Sequence, residues 1–324
     1  VKRSIATILA CAGLVASVSF VSCGAPKGPK VIKIGVVQLV EHAALDASYK
    51  GFVDGLKAAG YEDGKNIKID FQNAQGEQAN CATIAQKLVN DKSDLILAIA
   101  TPAAQAAANL TSTIPILVTA VTDPASAKLV ASNEAPGGNV TGTSDLTPVE
   151  AQMELLKELV PGVKTVGFLY CSSEQNSKFQ IDLAKKAADR LGIKYIEATV
   201  SNSNEIQQVS QSLVGKVEAV YAPTDNMIAA GIPTVAGVLS PARIPLICGE
   251  GGMVKAGGLA TYGINYYELG KQTAAMAVEI LRDGKKPAEM PIQYLANCDI
   301  AINEDSAARL GIAIPPELLA KVKK

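Results

Sequence analysis

The residues able to do chemistry are few and stand in short polar groups. The chain has one histidine, His42, which excludes a multi-histidine metal centre and leaves a single imidazole that could serve as a base. There is no Gly-x-Ser-x-Gly elbow to expose a serine nucleophile, and no Walker A loop to cradle a nucleotide phosphate. Six cysteines stand at 11, 23, 81, 171, 248 and 298, with no Cys-x-x-Cys pair and no histidine beside them, so zinc spacing is absent. A thiol-based enzyme acting on an amino acid is the catalytic alternative, with Cys81 and Cys171 as acid and base beside Ser172 and Glu174. Cys81 falls early in a helical segment instead of at a turn, which counts against it. No cofactor is expected.

The polar groups recur at one kind of place. Gln38, Glu41 and His42 follow an apolar run, as do Thr101 and Gln105, then Thr122 and Asp123. In the second half come Ser172, Ser173, Glu174 and Asn176, then Thr224, Asp225 and Asn226, and finally Glu250. Thr101-Pro102 and Asp123-Pro124 each read as a helix cap followed by proline at the first helical position. A helix N-terminus presents N–H groups with no intrahelical partner, and these suit a carboxylate or phosphate. Ordinary capping would produce the same residues at any one turn.

The elements that must position these groups alternate strand and helix. Short apolar runs at 31–37, 65–71, 94–98 and 114–118 are separated by helical patterns at 43–59, 77–90 and 102–110. The rhythm restarts after Thr147-Pro148. Helices are expected at 149–159, 175–190, 204–213, 226–239 and 267–282, and strands at 165–170, 195–199, 219–221, 245–248 and 259–262. The pattern predicts an α/β fold with two doubly wound parallel sheets. Ligands of such sheets bind beyond the carboxyl ends of the strands, which is where the polar groups fall.

Composition agrees with two globular domains. The chain has 324 residues, 48% hydrophobic and 19% charged, about twice the usual span of one domain. Lys and Arg number 30 against 31 Asp and Glu, so there is no basic excess for nucleic acid. Tryptophan is absent and aromatics are 4%, which leaves no tryptophan platform for a sugar.

The N-terminus reads as an export signal. Lys2 and Arg3 precede an uncharged, small-residue-rich stretch over 4–20, the pattern of a secretory leader. Cys23 after Val21-Ser22 resembles the lipobox of bacterial lipoproteins, although Phe20 stands where leucine is usual. That resemblance implies a signal peptide over 1–22, a lipidated Cys23 anchoring the protein to a membrane outside the cytoplasm, and a linker over 23–30.

The segments at 41–46 (EHAALD), 100–105 (ATPAAQ), 120–124 (AVTDP), 170–177 (YCSSEQNS), 223–226 (PTDN) and 258–262 (GLATY) together resemble the ABC-transporter substrate-binding lipoproteins of the tryptophan/tyrosine-binding type. Those have a type I periplasmic-binding-protein fold. The resemblance implies two lobes joined by a hinge, 31–146 with 266–294 and 147–265 with 295–324, and a helix at 267–282 packed on the first lobe. It implies capture of an aromatic amino acid in the cleft and delivery to an ABC permease. A branched aliphatic amino acid or another small polar solute is the alternative, and the sensory half of a receptor is a third reading. The ligand's carboxylate would meet Thr101, Ala103, Thr122 and nearby helix N-termini. Its ammonium, once desolvated, needs an acid; Asp225 is the first candidate and Glu174 the second, with Asp123 held at its cap. Tyr170, Tyr221, Tyr262 and Tyr266 would supply aromatic walls, with Leu39 and Val40 opposite. His42, Gln105, Ser172, Ser173, Asn176, Asn226 and Glu250 complete the expected cleft.

Overall fold

A computed structural model describes residues 31–322. The expected signal peptide, Cys23 and the whole expected linker lie outside the described residues. Two six-stranded sheets carry the fold. Reading from the N-terminus, the first sheet takes β1 (Ile32–Gln38), β2 (Ile67–Asn73), β3 (Leu95–Ile99), β4 (Ile116–Val121) and β5 (Val140–Ser144). The second takes β6 (Thr165–Cys171), β7 (Lys194–Val200), β8 (Ala219–Ala222), β9 (Leu246–Cys248) and β10 (Ala260–Gly263). Two short late strands then go one to each, β11 (Gln293–Tyr294) to the first sheet and β12 (Asp299–Ile302) to the second.

The strand orders are β11-β5-β4-β3-β1-β2 and β12-β10-β9-β8-β6-β7, one plan used twice. Every pairing is parallel except β10 with β12. The central strands β3 (LILAI) and β4 (ILVTAV) are buried at every residue, because helices cover both faces of such sheets. At the edges, β2 (IKIDFQN) and β7 (KYIEATV) admit charged residues and are half exposed. Alternation along β6 shows the two faces directly. Val166, Phe168 and Tyr170 enter one core of the second lobe, whereas Leu169 and Cys171 enter the other.

The helices among the described residues are α1 (Ala43–Ala58), α2 (Gln78–Asn90), α3 (Thr101–Ala108), α4 (Val149–Leu159), α5 (Gln175–Leu191), α6 (Ile206–Leu213), α7 (Asn226–Leu239), α8 (Gly251–Lys255), α9 (Tyr266–Asp283), α10 (Glu304–Leu310) and α11 (Pro316–Leu319). Helix α9 follows a strand of the second sheet yet packs on α1 of the first lobe. Glycine makes the approach possible: a Cβ on Gly51 would lie 2.0 Å from Tyr267 O, and one on Gly270 would lie 2.0 Å from Ser48 O. The chain thus passes between the sheets three times, after β5, after β10 and after β11.

Strands β5, β11 and β12 escape the sequence pattern. Strand β5 reads VTGTS, with one large apolar residue, and β11 has only two residues. Burial of β5 is imposed from outside: Gly142 lies so close to β4 that an added Cβ would sit 2.1 Å from Val118 O.

Candidate functional site

On the first lobe the site begins with a strained residue. Ala100, between β3 and α3, has φ 82° and ψ 154°, a region used almost solely by glycine and costing about 1–3 kcal/mol for other residues. The bend starts α3 at Thr101, with Pro102 behind it. Thr101 and Ala103 are buried, and Thr101 Oγ1 has no hydrogen-bond partner among the described residues. First-turn N–H groups have no intrahelical acceptor, so α3 offers donors and a hydroxyl in one place. Ala120, at the end of β4, also has a positive φ, 54°.

Asp123 opens a turn and caps no helix, since none lies between β4 and β5. Its Oδ1 accepts from Ser126 N at 2.6 Å and its Oδ2 from Asn133 Nδ2 at 2.8 Å. Thr122 reaches across to the second lobe, with Oγ1 3.3 Å from Thr224 Oγ1 and 3.3 Å from Gln180 Nε2.

On the second lobe, three buried acids feed on backbone donors. Asp225 is the N-cap of α7: Oδ1 accepts from Ile228 N at 2.8 Å, and Oδ2 from Cys171 N at 2.6 Å and Ser177 Oγ at 2.7 Å. Glu174 Oε1 accepts from Met227 N at 3.0 Å, while its Oε2 accepts from Asn176 Nδ2 at 3.0 Å and from both nitrogens of Asn226. Glu250 caps α8 through the N–H groups of Gly252 and Met253. Burial pushes the carboxyls of Asp225, Glu174 and Glu250 upward, and these hydrogen bonds pull against it. Asp225 and Glu174, the acids expected to face a ligand ammonium, both accept hydrogen bonds within their own lobe, and Asp225 also lines the small cavity described below.

The acid with an oxygen to spare is Asp145, which the sequence reading passed over. It lies on the first connection between the sheets, and its N–H donates to Val121 O at 3.2 Å. Tyr266 OH donates to Oδ2 at 2.7 Å, and Oδ1 is buried with no hydrogen-bond partner among the described residues. Burial, first of all, raises its carboxyl above the ordinary range. Asp145 follows a strand that sequence patterning did not reveal, so nothing local marked it.

Between the lobes, His42, Ala120, Asp145, Asn226, Glu250 and Tyr266 are among the residues enclosing a cavity of about 10 Å³. That is smaller than an amino acid, so a solute enters only as the lobes part. No Lys or Arg lines it among the described residues. His42 lies 3.3 Å, through Nε2, from Asn226 Oδ1. The Asn226 amide is oriented by its Nδ2 donating to Glu174, so its oxygen faces the imidazole and Nε2 carries the proton. His42 Nδ1 is then a bare acceptor, buried and without a partner among the described residues. Burial pulls the imidazole pKa down to about 4, which keeps it neutral at pH 7. A second, larger chamber of about 560 Å³ lies between Leu39 and Val40 of the first lobe and Ile206 and Met227 of the second.

Other expected residues fall in different places. Gln105 Nε2 donates to Gln175 Oε1 at 2.9 Å, and Gln175 Nε2 donates in turn to Ser126 O, which ties the lobes together. Ser173 does the same with Gln78 Nε2, at 3.3 Å from its carbonyl. Asn176 Nδ2 serves Glu174 and Thr224 O, leaving its Oδ1 buried without a partner. Ser172 Oγ turns to Val200 O inside the second lobe. The tyrosines need correction. Tyr170 OH donates to Glu197 at 2.6 Å, Tyr221 OH to Gln152 Oε1 at 2.8 Å, and Tyr262 packs on the second-lobe core. Strand alternation turns Tyr170 and Tyr221 into the core, and only Tyr266 reaches the small cavity. Replacing Gln175 with alanine removes two cross-lobe hydrogen bonds at about 1 kcal/mol each. Solute affinity is expected to fall roughly three- to thirty-fold with little change in melting temperature, measured by calorimetry and thermal unfolding.

The model of the ABC transporter substrate binding protein family matches residues 33–324. A tyrosine-binding protein of Clostridioides difficile (strain R20291) is 47% identical over 277 residues, covering 86% of this chain and 80% of that one. The crystal structure of an ABC domain in complex with L-Trp from Streptococcus pneumonia is 42% identical and superimposes with a TM-score of 0.87, covering 90% of this chain and 99% of the other. The ligand-free, open structure of a substrate binding protein with adhesive properties from Clostridium difficile is 47% identical, yet its TM-score is 0.69 over 90% of this chain and 98% of the other. Higher identity with a poorer superposition points to lobe arrangement, and the cross-lobe hydrogen bonds place this structure nearer the tryptophan complex than the open form. This chain belongs to the ABC transporter substrate-binding proteins, a family that binds solutes and is not enzymatic.

Proposed function

We propose that this protein captures an aromatic amino acid outside the cytoplasm, held to a membrane by lipid on Cys23, and delivers it to an ABC permease. The observation that carries the reading is Asp145 Oδ1: a buried carboxylate oxygen without a partner among the described residues, in a cavity that His42 also lines and that no Lys or Arg among them lines. An ammonium has three donors to satisfy and a positive charge to pair, and an unpaired carboxylate oxygen suits it. The carboxylate then goes to Thr101 Oγ1 and the first turn of α3. Similarity to a protein named for binding tyrosine and to one crystallised with L-Trp supports an aromatic side chain.

The competing solute is a branched aliphatic amino acid, favoured by the aliphatic side chains of Leu39, Val40 and Ile206 in the larger chamber. Calorimetry with L-tyrosine, L-tryptophan and L-leucine separates the two. Tyramine, lacking the carboxylate, and 3-(4-hydroxyphenyl)propanoate, lacking the ammonium, test the two ends. Expected are tight binding of the aromatic amino acids and at least a hundred-fold loss for each truncated analogue. Tighter binding of leucine, or undiminished binding of the propanoate, overturns the reading. Anchoring is tested separately by Cys23→Ser, which should release the protein from the membrane fraction.

A further inference from the structure

The geometry points to Gln152 as the positioning residue of lobe rotation: a buried amide that braces the first two connections between the sheets at their second-lobe ends, leaving only Leu146 and residues 263–265 to turn. Gln152 lies on α4 and is wholly buried. Its Nε2 stands 2.7 Å from Tyr262 O, 3.0 Å from Gly249 O, 3.1 Å from Thr147 Oγ1 and 3.3 Å from Thr261 Oγ1. Its Oε1 accepts from Tyr221 OH at 2.8 Å. An amide nitrogen has two hydrogens to give, so four acceptors around it leave neither unused. Leucine would fill this position beside Leu155 and Leu156, both buried, without the cost of desolvating an amide. Packing alone therefore does not account for glutamine here.

The two connections are held at both ends. The first runs over 145–148 and the second over 264–265. At the first-lobe side they meet where Tyr266 OH donates to Asp145 Oδ2, at 2.7 Å. At the second-lobe side they meet through Gln152, which reaches Thr147 on the first and Tyr262 just before the second. Between these fixed points lie Leu146 on one connection and residues 263–265 on the other. Closure about a few element-terminal residues is one of the common modes of domain motion. The bond to Gly249 O carries the brace to the cleft wall. Gly249 packs so closely on the turn before α7 that an added Cβ would lie 2.2 Å from Thr224 N, and Glu250 follows it. One amide thus fixes both the axis and the second-lobe wall that swings about it.

The test is made without solute, so its outcome does not depend on which solute the protein takes. Spin labels go on exposed helix positions in a background with Cys11, Cys23 and the exposed Cys298 replaced by serine; Cys81, Cys171 and Cys248 are buried. Thr83→Cys on α2 with Gln208→Cys on α6 reports the distance between lobes, and Lys186→Cys on α5 with Gln208→Cys reports a distance within the second lobe. Gln152→Leu should roughly double the width of the interlobe distance distribution and leave the intralobe one unchanged. An unchanged interlobe width, or equal broadening of both pairs, overturns the inference, the second because it is what a purely structural role produces. Tyr221→Phe carries the same test should Gln152→Leu fail to fold. It removes only the hydroxyl that orients the amide and keeps the ring against Phe168. The interlobe distribution alone should widen by roughly a quarter, and no widening there overturns the inference.

Discussion

Asp145→Asn is expected to weaken amino-acid binding by at least a hundred-fold while leaving the melting temperature unchanged or raised. Losing one partner of a buried charge pair costs about 3–5 kcal/mol, and about 1.4 kcal/mol is a factor of ten in affinity. The stability expectation follows from the sign of the pKa shift. Burial raises the folded carboxyl of Asp145, so the folded state holds the proton more firmly than the unfolded chain. Stability from this group is then greatest below the unfolded pKa and declines as pH rises towards the folded one. Asparagine, neutral at every pH, is free of that decline. Calorimetry and thermal unfolding at pH 7 test both halves. The same reasoning makes affinity fall as acid protonates Asp145, and Asp145→Asn should flatten that dependence. Near-native affinity in the variant would remove Asp145 from the recognition of the ammonium.

Asp225→Ala should give the opposite result. This carboxylate receives Ile228 N, Cys171 N and Ser177 Oγ, so its removal uncaps α7 and leaves buried donors unpaired. Each unsatisfied buried group costs about 1–3 kcal/mol, and a lost cap about 1 kcal/mol more. Denaturant unfolding should show a loss of at least roughly 3 kcal/mol. The protein that remains folded should bind its solute within about tenfold of the original, a change of about 1.4 kcal/mol or less. A variant that keeps its stability and loses binding would restore Asp225 as the ligand's counter-charge. The contrast is informative because both carboxylates are buried and both line the same cavity. Asp225 has both oxygens bonded within the protein, whereas Asp145 accepts from Tyr266 through Oδ2 and leaves Oδ1 without a partner among the described residues.

The comparison of these two acids also shows how far the amino-acid order could be read. Strand-to-helix turns were visible, because apolar runs that end in polar residues such as Thr101-Pro102 and Thr224-Asp225 are local signals, although the N-cap of α3 is Ala100 and not Thr101. A local signal cannot tell a carboxylate that caps its own helix from one that waits for a solute. Asp145 carried no such mark, since its partner Tyr266 is 121 residues away. The tyrosines failed for a related reason. Tyr170 and Tyr221 stand near the right turns, but strand alternation sends both rings into the core, where Glu197 and Gln152 satisfy their hydroxyls.

The amino-acid order by itself determined the alternation of strand and helix, the apolar runs of β3 and β4, and the family to which the chain belongs. Burial on both faces writes itself into consecutive residues, so it survives in one dimension. Only the tertiary structure decided that β5, β11 and β12 complete the sheets and that Asp145 holds the spare oxygen. Those outcomes depend on groups far apart in the chain being brought within a few ångströms, and no short-range pattern records such a meeting.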